Sequence, residues 1–283
     1  MESFWSVLWS ADVPFLRYAL LASLFASVPF GMMGSFVVVR RMSAMAGAVS
    51  HAIIGGVGLG IYLQVVWKWS WMSPSLGAMI ASVLIGLLIG WLSLRGKQRM
   101  DTVLGVVWVI GMSVGLLLLS LTPTYTDPMS YLFGNILLLS KKDVWLVGIL
   151  GIIVSVIAFV FYPQFQMVSF DEDFAMTRGI RVEFFQMLLI LLVSLSVFLM
   201  LQVMGSIMVI ALLTLPAATA SLFSKTLSSV MIMSCFLVAG FSLLGMVVSY
   251  DMDLPVGSVT VLLLSLGYIL ALVGKRGGKG GLT

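Results

Sequence analysis

Apolar residues run along this chain in blocks of about 20, the length a helix needs to cross the hydrocarbon core of a bilayer. Such blocks fall at residues 16–39, 43–63, 75–94, 102–121, 144–162, 184–202, 204–223, 227–249 and 256–274. One more apolar stretch, "PMSYLFGNILLLS" at 128–140, is too short to cross comfortably and is read as re-entrant or interfacial. A short tilted span is the alternative there. The pattern predicts an all-α fold, a polytopic transmembrane helical bundle of about nine spans plus that one segment. Residues 1–283 are expected to form a single transmembrane domain, with 16–274 in the membrane and 275–283 as a disordered cytoplasmic tail.

Charge orients the bundle. With the N-terminus outside, the inner connections hold Arg40, Arg41, Arg95, Lys97, Arg99, Arg178, Arg181, Lys225, Lys275, Arg276 and Lys279. The outer side holds Arg17, Lys68, Lys141 and Lys142, so the division is 11 inside to 4 outside. Cytoplasmic loops carry such an excess, which places the N-terminus outside and the C-terminus inside. Letting 128–140 cross would invert one half of the chain and spoil the bias.

Composition agrees. Hydrophobic residues make up 61% and charged residues 9%, against about 45–50% and about 25% in soluble domains. The net charge of +4 sits at the ends of apolar segments, where it orients helices rather than binding nucleic acid. A cell (inner) membrane location and lipid as the surrounding solvent follow. The N-terminal "MESFWSVLWSADVP" lacks a basic start and is not expected to be a cleaved signal. The one cysteine, Cys235, cannot form an internal disulfide. No stretch matches G-x-x-x-x-G-K-[ST], so an ATP-driven process would need a separate ATPase subunit.

Two stretches carry functional signals. In the inner loop "FDEDFAMTRGI", Asp171, Glu172 and Asp173 precede Phe174, Ala175 and Met176, and Gly179 follows. Acids at the start and glycine at the end suit a short helix, through the helix dipole and a left-handed cap. Such a helix could dock its apolar face in a groove of a cytosolic partner; a solvated connector is the plain alternative. In "VMGSIMVIALLTLPAATASLFSK", Pro216 sits within a span and frees a backbone carbonyl, as a gate or an ordinary packed kink would. Gly56 and Gly60 form a G-x-x-x-G pair that reads as close helix packing. Trp67, Trp69 and Trp71 fall in an outer loop as an interfacial belt. The 20 methionines read as adaptable packing rather than a metal relay.

The stretches "GMMGSFVVVRRMSAMAGAVSHAIIGGVGLG", "DPMSYLFGNILLLS", "FDEDFAMTRGI" and "VMGSIMVIALLTLPAATA" occur in this order with similar gaps in a known family. Over residues 16 to 274 the chain resembles the permease subunits of zinc, manganese and iron ABC importers. The resemblance implies import of a divalent metal (Zn, Mn or Fe) by alternating access, with no permanently bound cofactor and no enzyme activity in this subunit. Implied partners are a cytosolic ABC ATPase, an extracytoplasmic metal-binding protein, and a second permease copy or a paralogous permease. It also implies that Asp171 to Gly179 is the ATPase-coupling segment.

The same resemblance bears on His51, the only histidine. In the family the second span usually carries Asp and then His four residues on, as in "GDALSHA". Positions four apart share a helix face, and nitrogen with oxygen ligands suits Zn²⁺, Mn²⁺ or Fe²⁺. Here His51 is kept in "AVSHAII" and the acid's position is Gly47. His51 is thus expected to contact the transport path, or else to hydrogen-bond a neighbouring helix. Asp127, Asp251 and Asp253 are expected near the outer face. Two alternatives stand beside metal import: a permease for a metal chelate or cofactor on the same scaffold, and an ion-driven secondary transporter. The second would usually show acids or broken helices at the midplane.

Overall fold

A computed structural model of the chain describes residues 14–96, 99–123 and 140–277. The proposed re-entrant residues 128–139, Asp127 and the tail beyond Gly277 lie outside them. The described residues form helices α1 (Pro14–Val39), α2 (Ser43–Val65), α3 (Pro74–Arg95), α4 (Met100–Ser120), α5 (Lys141–Val160) and α6 (Tyr162–Phe170). The order continues with α7 (Glu172–Thr177), α8 (Val182–Met204), α9 (Ser206–Phe223), α10 (Leu227–Met252) and α11 (Val256–Gly277). Eight of them (α1 to α5, α8, α10 and α11) are long and apolar enough to cross a membrane.

The ninth expected span, α9, is the one that differs. At 18 residues it rises only about 27 Å at 1.5 Å per residue, short of the roughly 30 Å core. It starts part-way through the bundle. Ile210, in its second turn, lies against Gly47 in the second turn of α2. Gly205, the single residue between α8 and α9, turns the chain with a φ of 81° and ψ of 168°, values open essentially to glycine alone. The turn falls at the end of the full-length α8, where Gln202 lies 3.4 Å from Ser75 at the start of α3.

Ring contacts and hydrogen bonds establish the sidedness. Phe36 near the end of α1 meets Tyr162 just beyond α5, with centroids 6.4 Å apart, so α1 and α5 finish at the same end. Successive contacts His51 to Trp108, Gly55 to Gly111 and Gly58 to Gly115 show α2 and α4 running parallel. The chain thus leaves α4 and joins α5 at one end of the bundle. That end carries Arg17, Lys68, Lys141 and Lys142; the other carries Arg40, Arg41, Arg95, Arg99, Arg178, Arg181, Lys225 and Lys275. With Arg276 of α11 at that same inner end, the asymmetry is nine to four among the described residues, the sign expected for a cytoplasmic face.

Packing relies on missing side chains. A Cβ on Gly34 would overlap the Leu213 carbonyl of α9, and one on Gly31 would overlap the backbone of Cys235 in α10. Helices approach this closely in lipid because small residues let dispersion contacts form between backbones. Pro29, which the sequence reading passed over, removes a donor inside α1 and frees the Phe25 carbonyl. Gly151 of α5 lies alongside that carbonyl. Most buried hydroxyls turn back on their own helix. Ser35 donates to the Gly31 carbonyl (2.8 Å), Ser194 to Ile190 (3.0 Å), Ser196 to Leu192 (2.9 Å) and Ser234 to Val230 (2.6 Å).

Candidate functional site

The α2–α4 seam positions His51. Gly55, Gly58, Gly111 and Gly115 lack Cβ atoms along it, so the two backbones nearly touch above His51. Below that level the seam opens. His51 stacks flat on Trp108 with centroids 4.5 Å apart and planes 2° from parallel. Its Nδ1 is buried and has no hydrogen-bond partner among the described residues. Neighbouring Ser50 instead donates to the Gly47 carbonyl at 2.9 Å, within its own helix. The expected alternative, an imidazole hydrogen-bonded like Ser50, is therefore not what Nδ1 does.

Beneath the His51–Trp108 pair lies a cleft of about 410 Å³, open toward the inner end. Ser43, Ala44 and Gly47 of α2 form one wall. Asp101, Leu104, Gly105 and Trp108 of α4 form the other, with Ile210 of α9 behind. Spacings of three, four and seven put these α4 residues on one helix face. A Cβ on Gly47 would come 3.0 Å from the Ile210 Cδ1, a flexible tip, while at Gly105 it would meet open space. Asp251 and Asp253 sit at the far end of α10, exposed and remote from the cleft. No group of three or more His, Cys, Asp or Glu suited to a metal occurs among the described residues. Sequence reading missed Asp101, because only the parallel packing of α2 and α4 brings it under His51.

Gly56 and Gly60 face away from this cleft, toward α3. A Cβ on Gly56 would overlap Ala81 and the Gly77 carbonyl, and one on Gly60 would come within 2.8 Å of the Ser73 carbonyl. Pro216 is buried inside α9. Trp67, Trp69 and Trp71 are exposed at the outer end, Trp67 edge-on to Trp69 at 5.7 Å and Trp69 stacked on Trp71 at 5.5 Å.

The inner segment is built by local chemistry. Asp171 caps α7, its carboxylate accepting the Phe174 N–H at 2.9 Å. Gly179 closes it at φ 75°, with the Ile180 N–H bonded to the Ala175 carbonyl (3.1 Å) and the Gly179 N–H to that of Met176 (2.9 Å). That pair of bonds is the Schellman cap. Ala175 is fully buried within the chain, whereas Phe174 and Met176 are 46% and 56% exposed. The apolar face turned outward is thus Phe174 with Met176, and Ala175 faces inward. Asp173 is exposed. Glu172 pairs with Arg40 at 2.7 Å, and Arg40 also donates to the Val168 carbonyl of α6 at 3.2 Å. The segment rests on α6, whose Phe165 meets Phe36 (5.8 Å) and Phe185 (5.9 Å) edge-on. Helix α6 itself went unread, although Pro163 in its first turn is a start signal.

A lipid-facing bundle of parallel and antiparallel spans, a half-open seam at mid-depth and a capped helix on the cytoplasmic face define a multi-pass membrane transport subunit. The chain belongs to the ABC 3 transport family, whose model matches residues 12–275. It is 33% identical to a "Probable metal transport system membrane protein" of Chlamydia muridarum, over 96% of this chain and 92% of that one. It is 32% identical to the manganese import system permease protein ScaB of Streptococcus gordonii, covering 92% and 91% of the two chains. Its fold matches a chain of PsaBC from Streptococcus pneumoniae, solved in complex with Fab. That match has a TM-score of 0.79 and 29% identity, over 91% of this chain and 90% of the other. As a family member the chain is a permease, and ATP hydrolysis belongs to a separate component.

Proposed function

We propose that this chain is the permease through which an ABC importer carries a divalent transition metal into the cytoplasm by alternating access. Manganese is the leading cargo, with zinc and iron as the competing ones. The observation that carries this reading is the 32% identity to a manganese import permease across 92% of the chain. Residues 16–274 act as one membrane domain. His51 contacts the cargo, since an imidazole with a free nitrogen is a ligand for Mn²⁺, Zn²⁺ and Fe²⁺. Its buried Nδ1 has no hydrogen-bond partner among the described residues, and a polar group so placed in an apolar span points to function.

The partners are a cytosolic ATPase on each permease, an extracytoplasmic metal-binding protein, and a second permease copy or a paralogue. Helix α7 docks in the ATPase through Phe174 and Met176, with Asp171, Glu172, Asp173, Ala175 and Gly179 holding its shape and place. Pro216 and the close glycine contacts let α9 and α2 shift as the path opens. The test is uptake of Mn²⁺, Zn²⁺ and Fe²⁺ into proteoliposomes holding the permease with its ATPase and binding protein. ATP-dependent accumulation of Mn²⁺ is expected, and accumulation of none of the three overturns the reading.

A further inference from the structure

Among the described residues, the cleft under His51 has one ionisable group in its walls, Asp101. It stands in the first turn of α4, at the cleft's inner mouth, exposed to water. Seven residues along the same helix face, Trp108 supports the His51 imidazole. At 1.5 Å per residue the carboxylate and the stacked pair are about 10 Å apart along α4. Between them the walls carry no side chain at Gly47 and open space at Gly105. A cation with six waters occupies roughly 180 Å³ at about 30 Å³ per water. The cleft's 410 Å³ therefore admits a hydrated ion. Apolar walls of low dielectric focus the field of a single charge along such a passage.

We propose that Asp101 is the carboxylate that receives the cation from the level of His51 and holds it at the cytoplasmic mouth of the α2–α4 cleft before release. This rests on the reading of the chain as a divalent-cation permease. An oxygen ligand at the exit suits Mn²⁺, which favours carboxylates and water over softer donors. An exposed site binds weakly enough to let the ion go. Position 47 lines the same cleft from the facing helix, and only the tip of Ile210 must shift to admit a side chain there. A carboxylate placed at 47 should therefore substitute for one lost at 101.

The experiment measures Mn²⁺ uptake by the full complex, with permease, ATPase and loaded binding protein, in proteoliposomes. Asp101→Asn should assemble normally, keep its thermal midpoint, and lower the initial uptake rate about tenfold, mainly through the maximal rate. The double variant Asp101→Asn with Gly47→Asp should regain at least a third of the wild-type rate. Uptake by Asp101→Asn at the wild-type rate overturns the proposal. So does a lowered rate that Gly47→Asp leaves unrepaired, because it would assign Asp101 to capping α4. Failure of the wild-type complex to move Mn²⁺, Zn²⁺ or Fe²⁺ would instead strike the permease reading itself.

Discussion

The seam around His51 and the inner segment around α7 are built by opposite means. At the seam, two helices far apart in sequence touch through absent side chains, and the one polar ring there has a nitrogen without a partner. At the inner segment, residues within ten positions of one another cap, turn and brace a helix. Arg40 of α1 reaches in from far along the sequence to brace it. The contrast separates two tasks. On the proposed function the seam is an ion path, which needs space and a free ligand, and α7 is a lever, which needs every local bond satisfied.

The contrast breaks most severely at the glycines of the seam. Gly115→Leu would drive a Cβ to 2.6 Å from the Ile54 carbonyl. Backbone cannot yield as a side chain does, so a loss of about 3 kcal/mol is expected, at the upper end for overpacking. Thermal unfolding of the detergent-solubilised complex should show a large drop and little assembled permease. Gly105→Leu is the control on the same helix. It fills open space, so the midpoint should hold while Mn²⁺ uptake slows several-fold. Equal midpoints for the two variants would show that the seam is not glycine-locked.

The next effect falls on the ligand. His51→Ala should lower Mn²⁺ uptake about tenfold while complex assembly stays unchanged. The lost stack on Trp108 contributes only about 0.5–1.5 kcal/mol. Wild-type uptake by this variant would return His51 to a packing role.

At the inner segment, Gly179→Val forces a β-branched residue to φ 75°, at a cost of roughly 1–2 kcal/mol. The permease should still insert in the membrane while α7 loses its terminal turn. Metal-stimulated ATP hydrolysis by the complex is expected to fall several-fold or to run without transport. Intact stimulation would show that force enters the membrane through another surface. The smallest effect belongs to Arg40→Gln. Glu172 is 48% exposed, so solvent screening leaves the pair about 1 kcal/mol or less. A modest loss of coupling with no change in membrane insertion is expected, read as transported ions per ATP.

This division also decided how much could be read beforehand. The helix over 172–177, its acidic start and the left-handed Gly179 follow from signals a few residues apart, and the sequence displayed them directly. Nine apolar blocks were legible for the same reason, since span length is a local property. Which helices would lie side by side was not. Asp101 is fifty residues from His51 in sequence, and only the parallel approach of α2 and α4 gathers them around one cleft. The shortened α9 was likewise hidden, because the apolar block 204–223 runs through Gly205 without a polar break. Ala175 looked like part of a docking face until three-dimensional packing turned it inward.

The hydroxyls that bond back along their own helices have a consequence for membrane energetics. Ser35, Ser50, Ser194, Ser196 and Ser234 each direct a proton to a carbonyl one turn earlier. For a proton to hop between helices through these groups, such a bond must first break in a medium where an unpaired polar group costs several kcal/mol. Ser35 and Ser234 do approach each other at 3.4 Å, yet both donors are already engaged with backbone. The bundle thus resists short-circuiting the proton gradient at these positions.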